Sequence, residues 1–158
     1  MKAVRLDPMT DDEYAHFYES EVETFAEAKV RQGSWSEDEA VEKSLKSLEL
    51  LLTKGIATED HFFYTVRSTP GEEAVGLLWV NLRPKAASRE LYIYKIEVDE
   101  RFRGEGYGRA TMEAAAAKAR QLGATSVGLN VFAYNENARA LYQSLGYQDE
   151  AHLMSLKL

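Results

Sequence analysis

The residues best able to do chemistry lie in one stretch, Val98-Asp-Glu-Arg-Phe-Arg-Gly-Glu-Gly-Tyr-Gly-Arg109. Glycine occupies alternate positions there, Gly104, Gly106 and Gly108, between an apolar β-branched run and an alanine-rich one. Glycines so spaced let the backbone turn tightly and remove side chains that would block a ligand. The first turn of a helix that follows presents N–H groups without intrahelical partners, and the helix dipole adds partial positive charge. Such an end binds phosphate or diphosphate. Arg101, Arg103 and Arg109 gather cationic charge around it, so the stretch reads as a diphosphate cradle. Glu105 works against that reading, because a carboxylate among anion-binding groups lowers affinity unless its side chain turns to solvent. The plain alternative is a glycine-rich strand–helix turn with no ligand. Other phosphate motifs fit worse. A dinucleotide loop needs G-x-G-x-x-G early in a βαβ unit, and a P-loop needs G-x-x-x-x-G-K-[ST]; neither occurs.

The elements that must position this loop are legible from period and punctuation. Residues 2–7 suit a short strand ending at Pro8. Thr10-Asp-Asp-Glu13 is a capping box, and Tyr14, Phe17, Tyr18, Val22 and Phe25 recur at helical spacing to about Gln32. Ser36-Glu-Asp-Glu39 opens a second helix, with Val41, Leu45, Leu48 and Leu52 on one face and a stop at Gly55. The period then changes. His61–Val66 and Ala74–Val80 read as an antiparallel hairpin around Ser68-Thr-Pro-Gly71, and Glu90–Val98 reads as a central strand after Pro84. Beyond the loop, Met112, Ala115, Ala116, Ala119 and Leu122 line a helix that Gly123 ends. Ser126–Val131 is a further strand, Asn135 opens a short helix ending at Gly146, and 147–158 supply one or two closing strands. The order predicts a mixed α/β or α+β sheet in one domain, 1–158.

Composition bounds the function. An apolar fraction of 45% over 158 residues suits a folded domain with a real core. No run approaches a membrane span and no secretory h-region opens the chain, so neither membrane nor export is expected. The absence of cysteine excludes disulfides, thiolate metal sites and a cysteine nucleophile, and is compatible with a cytoplasmic home. Net charge is −7, and residues 1–60 hold 15 acids against 7 bases. That balance argues against nucleic-acid binding. The acidic half suits either a cationic substrate such as an amine or simply solvated helix faces. His16, His61 and His152 show no ligand spacing, so no metal is expected. No serine–histidine pattern suggests a hydrolase triad.

Arg103-Gly-Glu-Gly-Tyr-Gly108 matches the Q/R-x-x-G-x-G/A motif of the GNAT superfamily of acetyltransferases. Asn135-Glu-Asn-Ala-Arg-Ala-Leu-Tyr-Gln-Ser-Leu-Gly-Tyr147 resembles that family's second segment, N-x-x-A-x-x-L-Y-x-x-x-G-[FY]. The element order is similar too, over essentially the whole chain, and the likeness is to small bacterial members with Ile-Tyr-x-x-Glu-Val before the loop. The resemblance implies a mainly antiparallel sheet with a splayed parallel strand pair and about four flanking helices. The splayed pair would be 90–98 and 125–131, with acetyl-CoA, the cosubstrate, in the gap.

By the same resemblance, backbone groups of Ile96 and Val98 pair with the pantetheine arm. The N–H groups of Gly104, Glu105, Gly106, Tyr107, Gly108 and Arg109 bind the diphosphate, Arg103 fills the motif's first position, and Asn135 contacts the coenzyme or caps its helix. A backbone N–H near Val98 would polarise the thioester carbonyl. Tyr142 is the expected general acid, protonating the departing thiolate, although it could instead pack beside Leu141 and Leu145. Its phenol, of pKa about 10, faces a thiol of about 8.5 that leaves tolerably unaided. Several members carry glutamate where Asn130 stands, and asparagine cannot take a proton usefully. Glu97 is the remaining candidate base, or else a structural or substrate-binding carboxylate. Strand alternation puts it on the face opposite Ile96 and Val98. Trp35, Tyr14 and Tyr18 come from the region that often shapes the family's acceptor cleft, or pack in the core. The expected function is direct transfer to a small-molecule or peptide amine in a ternary complex, with a coenzyme-binding sensor of the same fold as the rival. Family members are often dimers, so a homodimer is among the expected assemblies.

Overall fold

The computed structural model describes residues 1–158 and divides the chain into two compact units, Met1–Gly128 and Leu129–Leu158. The first holds strand β1 (Val4–Pro8), helices α1 (Asp11–Arg31) and α2 (Glu37–Leu51), and strands β2 (His61–Ser68), β3 (Ala74–Lys85) and β4 (Ser88–Val98). Helix α3 (Tyr107–Gln121) and strand β5 (Ser126–Leu129) follow. The five strands lie in sequence order, β1 to β4 antiparallel, with the α3 crossover making β5 parallel to β4. This is the mixed sheet that the sequence predicts.

Both long helices start where their capping boxes stand. The Thr10 hydroxyl accepts the Glu13 N–H at 3.1 Å while the Glu13 carboxylate accepts the Thr10 N–H at 3.0 Å. In α2 the Glu39 carboxylate accepts the Ser36 N–H at 3.3 Å. Ser44, fully buried, ties the two helices together by donating to the Val22 carbonyl at 2.6 Å.

The sheet buries both faces. On one, Phe63 and Trp79 meet Phe17 of α1 and Leu48 and Leu52 around α2. Burial depresses the basicity of His61, and its Nδ1 accepts the Trp79 indole N–H at 3.1 Å, so this histidine serves the core. On the other face Leu78, Val80, Leu82, Leu91 and Ile93 are buried, as are Met112, Ala115 and Ala119 of α3, which packs against β1 and β4. The alanines let that helix sit close to the strands.

Tyr14 packs on the first face with its ring 4.9 Å from Phe63, and its hydroxyl is the one buried side-chain polar atom without a partner. Burial raises its pKa to about 12, so it stays a neutral phenol. Tyr14→Phe is expected to leave stability unchanged or raise it by up to about 1 kcal/mol, since an unmet group is removed. Denaturant midpoints check this, and a clear loss of stability would reveal a partner for the hydroxyl.

Three sequence expectations need correction. Strand β3 does not stop at Val80 but runs to Lys85, through Pro84. Leu82 N–H donates to the Asp60 carbonyl, so Pro84, two residues on, turns its nitrogen the same way, where β2 pairing has ended at Asn81. A missing donor costs nothing there. Strand β5 ends at Leu129, not Val131. Residues 147–158 form no strand, and 148–158 are exposed throughout. The alternating Met154, Leu156 and Leu158 have strand character, but alternation alone does not hold a strand without a paired ladder.

The second unit contains helix α4 (Glu136–Ser144) and an ion pair between Arg139 and Asp149 at 2.7 Å. No helix of the chain is long and apolar enough to cross a membrane.

Candidate active site

Strand β4 carries an extra residue. Trp79 pairs with Lys95 but Val80 pairs with Ile93, so Tyr94 bulges from the ladder. Both Tyr94, stacked on Trp79 with centroids 4.5 Å apart, and Lys95 then lie on the α1 face. Glu97 shares that face opposite Leu77, while Ile96 and Val98 take the α3 face, as alternation predicts. Bulges next to functional sites commonly re-aim side chains in this way.

The backbone alternates too. Asp99 N–H donates to the Val75 carbonyl at 2.8 Å, so the peptide groups of Val98 and Ile96 point away from β3. On that side Thr125 N–H reaches the Arg89 carbonyl, and β5, four residues long, runs out near Ile93 when counted from there. The main-chain groups of Ile96 and Val98 therefore face a gap in the ladder. The Val98 carbonyl is taken by Arg103, whose Nε donates to it at 3.0 Å. Arg103 thus ties the loop to the strand end.

Opposite Val98 stands Gly76. A Cβ built there would run into the Glu97 carbonyl, so this mid-strand glycine permits a close approach of β3 to β4 at the site itself.

The loop makes a 3-10 turn at Glu100–Phe102, then passes through Gly104 at φ +75° and Gly106 at φ +98°, both left-handed. Gly106 is the N-cap of α3 and has no side chain to cap it. The first bond of the helix is Ala110 N–H to the Gly106 carbonyl at 3.1 Å, so the N–H groups of Tyr107 and Gly108 precede the ladder. Nothing stands within 4 Å of a Cβ placed on Gly104. Open space at Gly104, ahead of N–H donors that no main-chain carbonyl takes at a helix N-terminus, is compatible with an anion such as a diphosphate. Tyr107 has only its backbone to offer a ligand there, because its ring is buried edge-on to Phe102 at 5.9 Å.

Glu97 lies beside a charge cluster that the sequence did not reveal. Lys95 Nζ is 2.9 Å from Glu21 on α1, 3.1 Å from the Thr24 hydroxyl and 3.8 Å from Glu97. Lys95 and Glu21 are largely buried and Glu97 is not, so Glu97 keeps one carboxylate open to solvent next to a fixed cation. The available signal was a lysine two residues from Glu97 in the apolar run Leu91–Val98.

In the second unit, Asn135 occupies the N-cap position of α4, yet its side chain makes no cap hydrogen bond. Its carbonyl accepts the Arg139 N–H at 3.0 Å, which leaves the amide to other uses. Tyr142 is half-buried with its ring 5.9 Å from Tyr147, and burial raises its pKa.

A glycine-rich strand-to-helix loop beside a split parallel pair is the arrangement of an acetyltransferase fold. The chain belongs to the acetyltransferase (GNAT) family, whose model matches residues 14–147. Among curated proteins it is 36% identical to the uncharacterized N-acetyltransferase YdgE of Bacillus subtilis, over 92% of each chain. It is 32% identical to the uncharacterized N-acetyltransferase YycN of the same organism, over 98% of this chain and 99% of that one. The crystal structure of YycN superimposes with a TM-score of 0.91 at 31% identity, covering 99% of both chains. An acetyl transferase structure from Pyrococcus furiosus, at 23% identity and a TM-score of 0.69, shares the fold.

Proposed function

We propose that the chain moves the acetyl group of acetyl-CoA to a primary amine by direct transfer within a ternary complex. The observation that supports this best is the pair of left-handed glycines opening onto the start of α3, beside backbone at Ile96 and Val98 that no strand pairs on that side. Acetyl-CoA supplies an activated thioester; the residues do the rest. The N–H groups from Gly104 to Arg109 hold the diphosphate, and Ile96 and Val98 line up the pantetheine arm as an added strand would. The Val98 N–H polarises the thioester carbonyl oxygen. Glu97, directly or through water, accepts the proton that an ammonium acceptor must lose before attack. Tyr142, assigned by its place in the family's second motif, returns a proton to the leaving sulfur. The chain has no cysteine, so no thiol nucleophile calls for a covalent intermediate.

Tyr142→Phe is expected to lower kcat by about 10²-fold, the lower end of acid–base effects, with little change in coenzyme affinity. The effect stays at that end because burial makes the phenol a still weaker acid. An unchanged kcat would return Tyr142 to a packing role. Calorimetry with CoA and acetyl-CoA tests the cradle, and thiol release across a panel of amines tests turnover. Asn130, in place of a carboxylate, favours a second reading, a coenzyme-binding sensor without turnover. Steady thiol release with any acceptor excludes it.

A further inference from the structure

Glu105 stands inside the proposed cradle, between the two left-handed glycines, where a negative charge opposes a dianion. Its side chain is exposed, yet its carboxylate has a cationic partner. Lys2, just ahead of β1, places Nζ 3.2 Å from Glu105 Oε2 and 4.8 Å from the centroid of the Tyr107 ring. Its methylenes cross Gly106, with Cγ 3.6 Å from where a Cβ on that glycine would stand. This placement is built into the fold, since α3 packs against β1 and β1 is laddered to β2 from Val4 onward. The hydrogen bond to Glu105, and then that to Tyr107, hold the Lys2 ammonium above the ordinary lysine range, so it is charged at neutral pH.

We propose that Lys2 is a positioning residue of the coenzyme site, which sets diphosphate affinity by neutralising Glu105 rather than by touching the phosphates. This rests on the coenzyme reading above. Charge arithmetic then orders four proteins. The wild type carries a neutral pair, Lys2→Met leaves −1 beside the diphosphate, Glu105→Gln leaves +1, and the double variant is neutral again. Methionine keeps the methylenes over Gly106, so the cover on the loop persists while the charge goes.

The experiment is isothermal titration of the full chain with CoA at low salt and again near 0.5 M salt, roughly a twofold-shorter Debye length than at physiological strength. At low salt, Lys2→Met is expected to bind about three- to tenfold more weakly and Glu105→Gln about three- to tenfold more tightly, as Coulomb terms between surface charges suggest. The double variant should return to within about twofold of wild type, Lys2→Arg should match wild type, and all differences should shrink at high salt. A double variant that stays as weak as Lys2→Met overturns the proposal in favour of direct phosphate contact or a structural role. Wild-type affinity in Lys2→Met overturns it outright. Absence of heat with the wild type itself would instead remove the coenzyme reading and this inference with it.

Discussion

Gly106→Trp is expected to fold and yet to lose CoA binding by more than about a hundredfold, or ~2.7 kcal/mol. Gly106 sits at φ +98° as the N-cap of α3, where the proposed function brings the backbone close to the coenzyme's diphosphate. A side chain there costs about 1–2 kcal/mol of backbone strain, which a domain with about 5–15 kcal/mol of stability survives. The indole, though, would fill the space over the Tyr107 and Gly108 N–H groups. Gly106→Ala separates the two effects, carrying the same strain without the bulk, and its contact with Lys2 at 3.6 Å is an ordinary one. Calorimetry with circular dichroism as the folding control reads both. Micromolar affinity in a folded tryptophan variant would mean that the coenzyme's diphosphate lies elsewhere.

Gly76→Ala is expected to be the most damaging single methyl group in the chain. The added carbon meets the Glu97 main-chain carbonyl, which cannot swing aside as a side chain can. Strands β3 and β4 must part, and the cost should reach about 3 kcal/mol, the upper part of the usual overpacking range. Because the parted segment carries Glu97 and Val98, kcat should fall along with the denaturant midpoint, even at temperatures where the variant is folded. A variant with wild-type stability and turnover would show that the strands have room to spare there.

Local signals were the readable ones. Capping boxes at Thr10 and Ser36 and the alanine stripe of α3 depend on residues three or four apart, and a glycine stop on one, so the helices and the glycine loop could be placed from the chain alone. Pro84 misled because a proline reads as a break unless one knows that its neighbour strand has already ended. The length of β5 was overdrawn for a related reason: an apolar run shows that a segment can be a strand, whereas pairing decides where it stops. The charge cluster of Glu21 and Lys95, and the pairing of Lys2 with Glu105, join residues more than 70 positions apart, and no periodicity records them. Of the candidate site, the glycine loop that opens α3 and the face of Glu97 were legible. The cation beside Glu97 and the glycine that brings β3 against it were not.

The supernumerary Tyr94 has a consequence for how this protein can tolerate change. Upstream, the odd-numbered positions Leu91 and Ile93 look toward α3; downstream, the even-numbered Ile96 and Val98 do. Tyr94 is thus a phase shifter of one residue. Were the strand to run straight with the same number of residues, Glu97 would turn inward among the apolar side chains and Ile96 would take its place. Which chemical group the α1 face presents is therefore decided by a count along the chain, and insertions or deletions within 88–98 should be far less tolerated than substitutions.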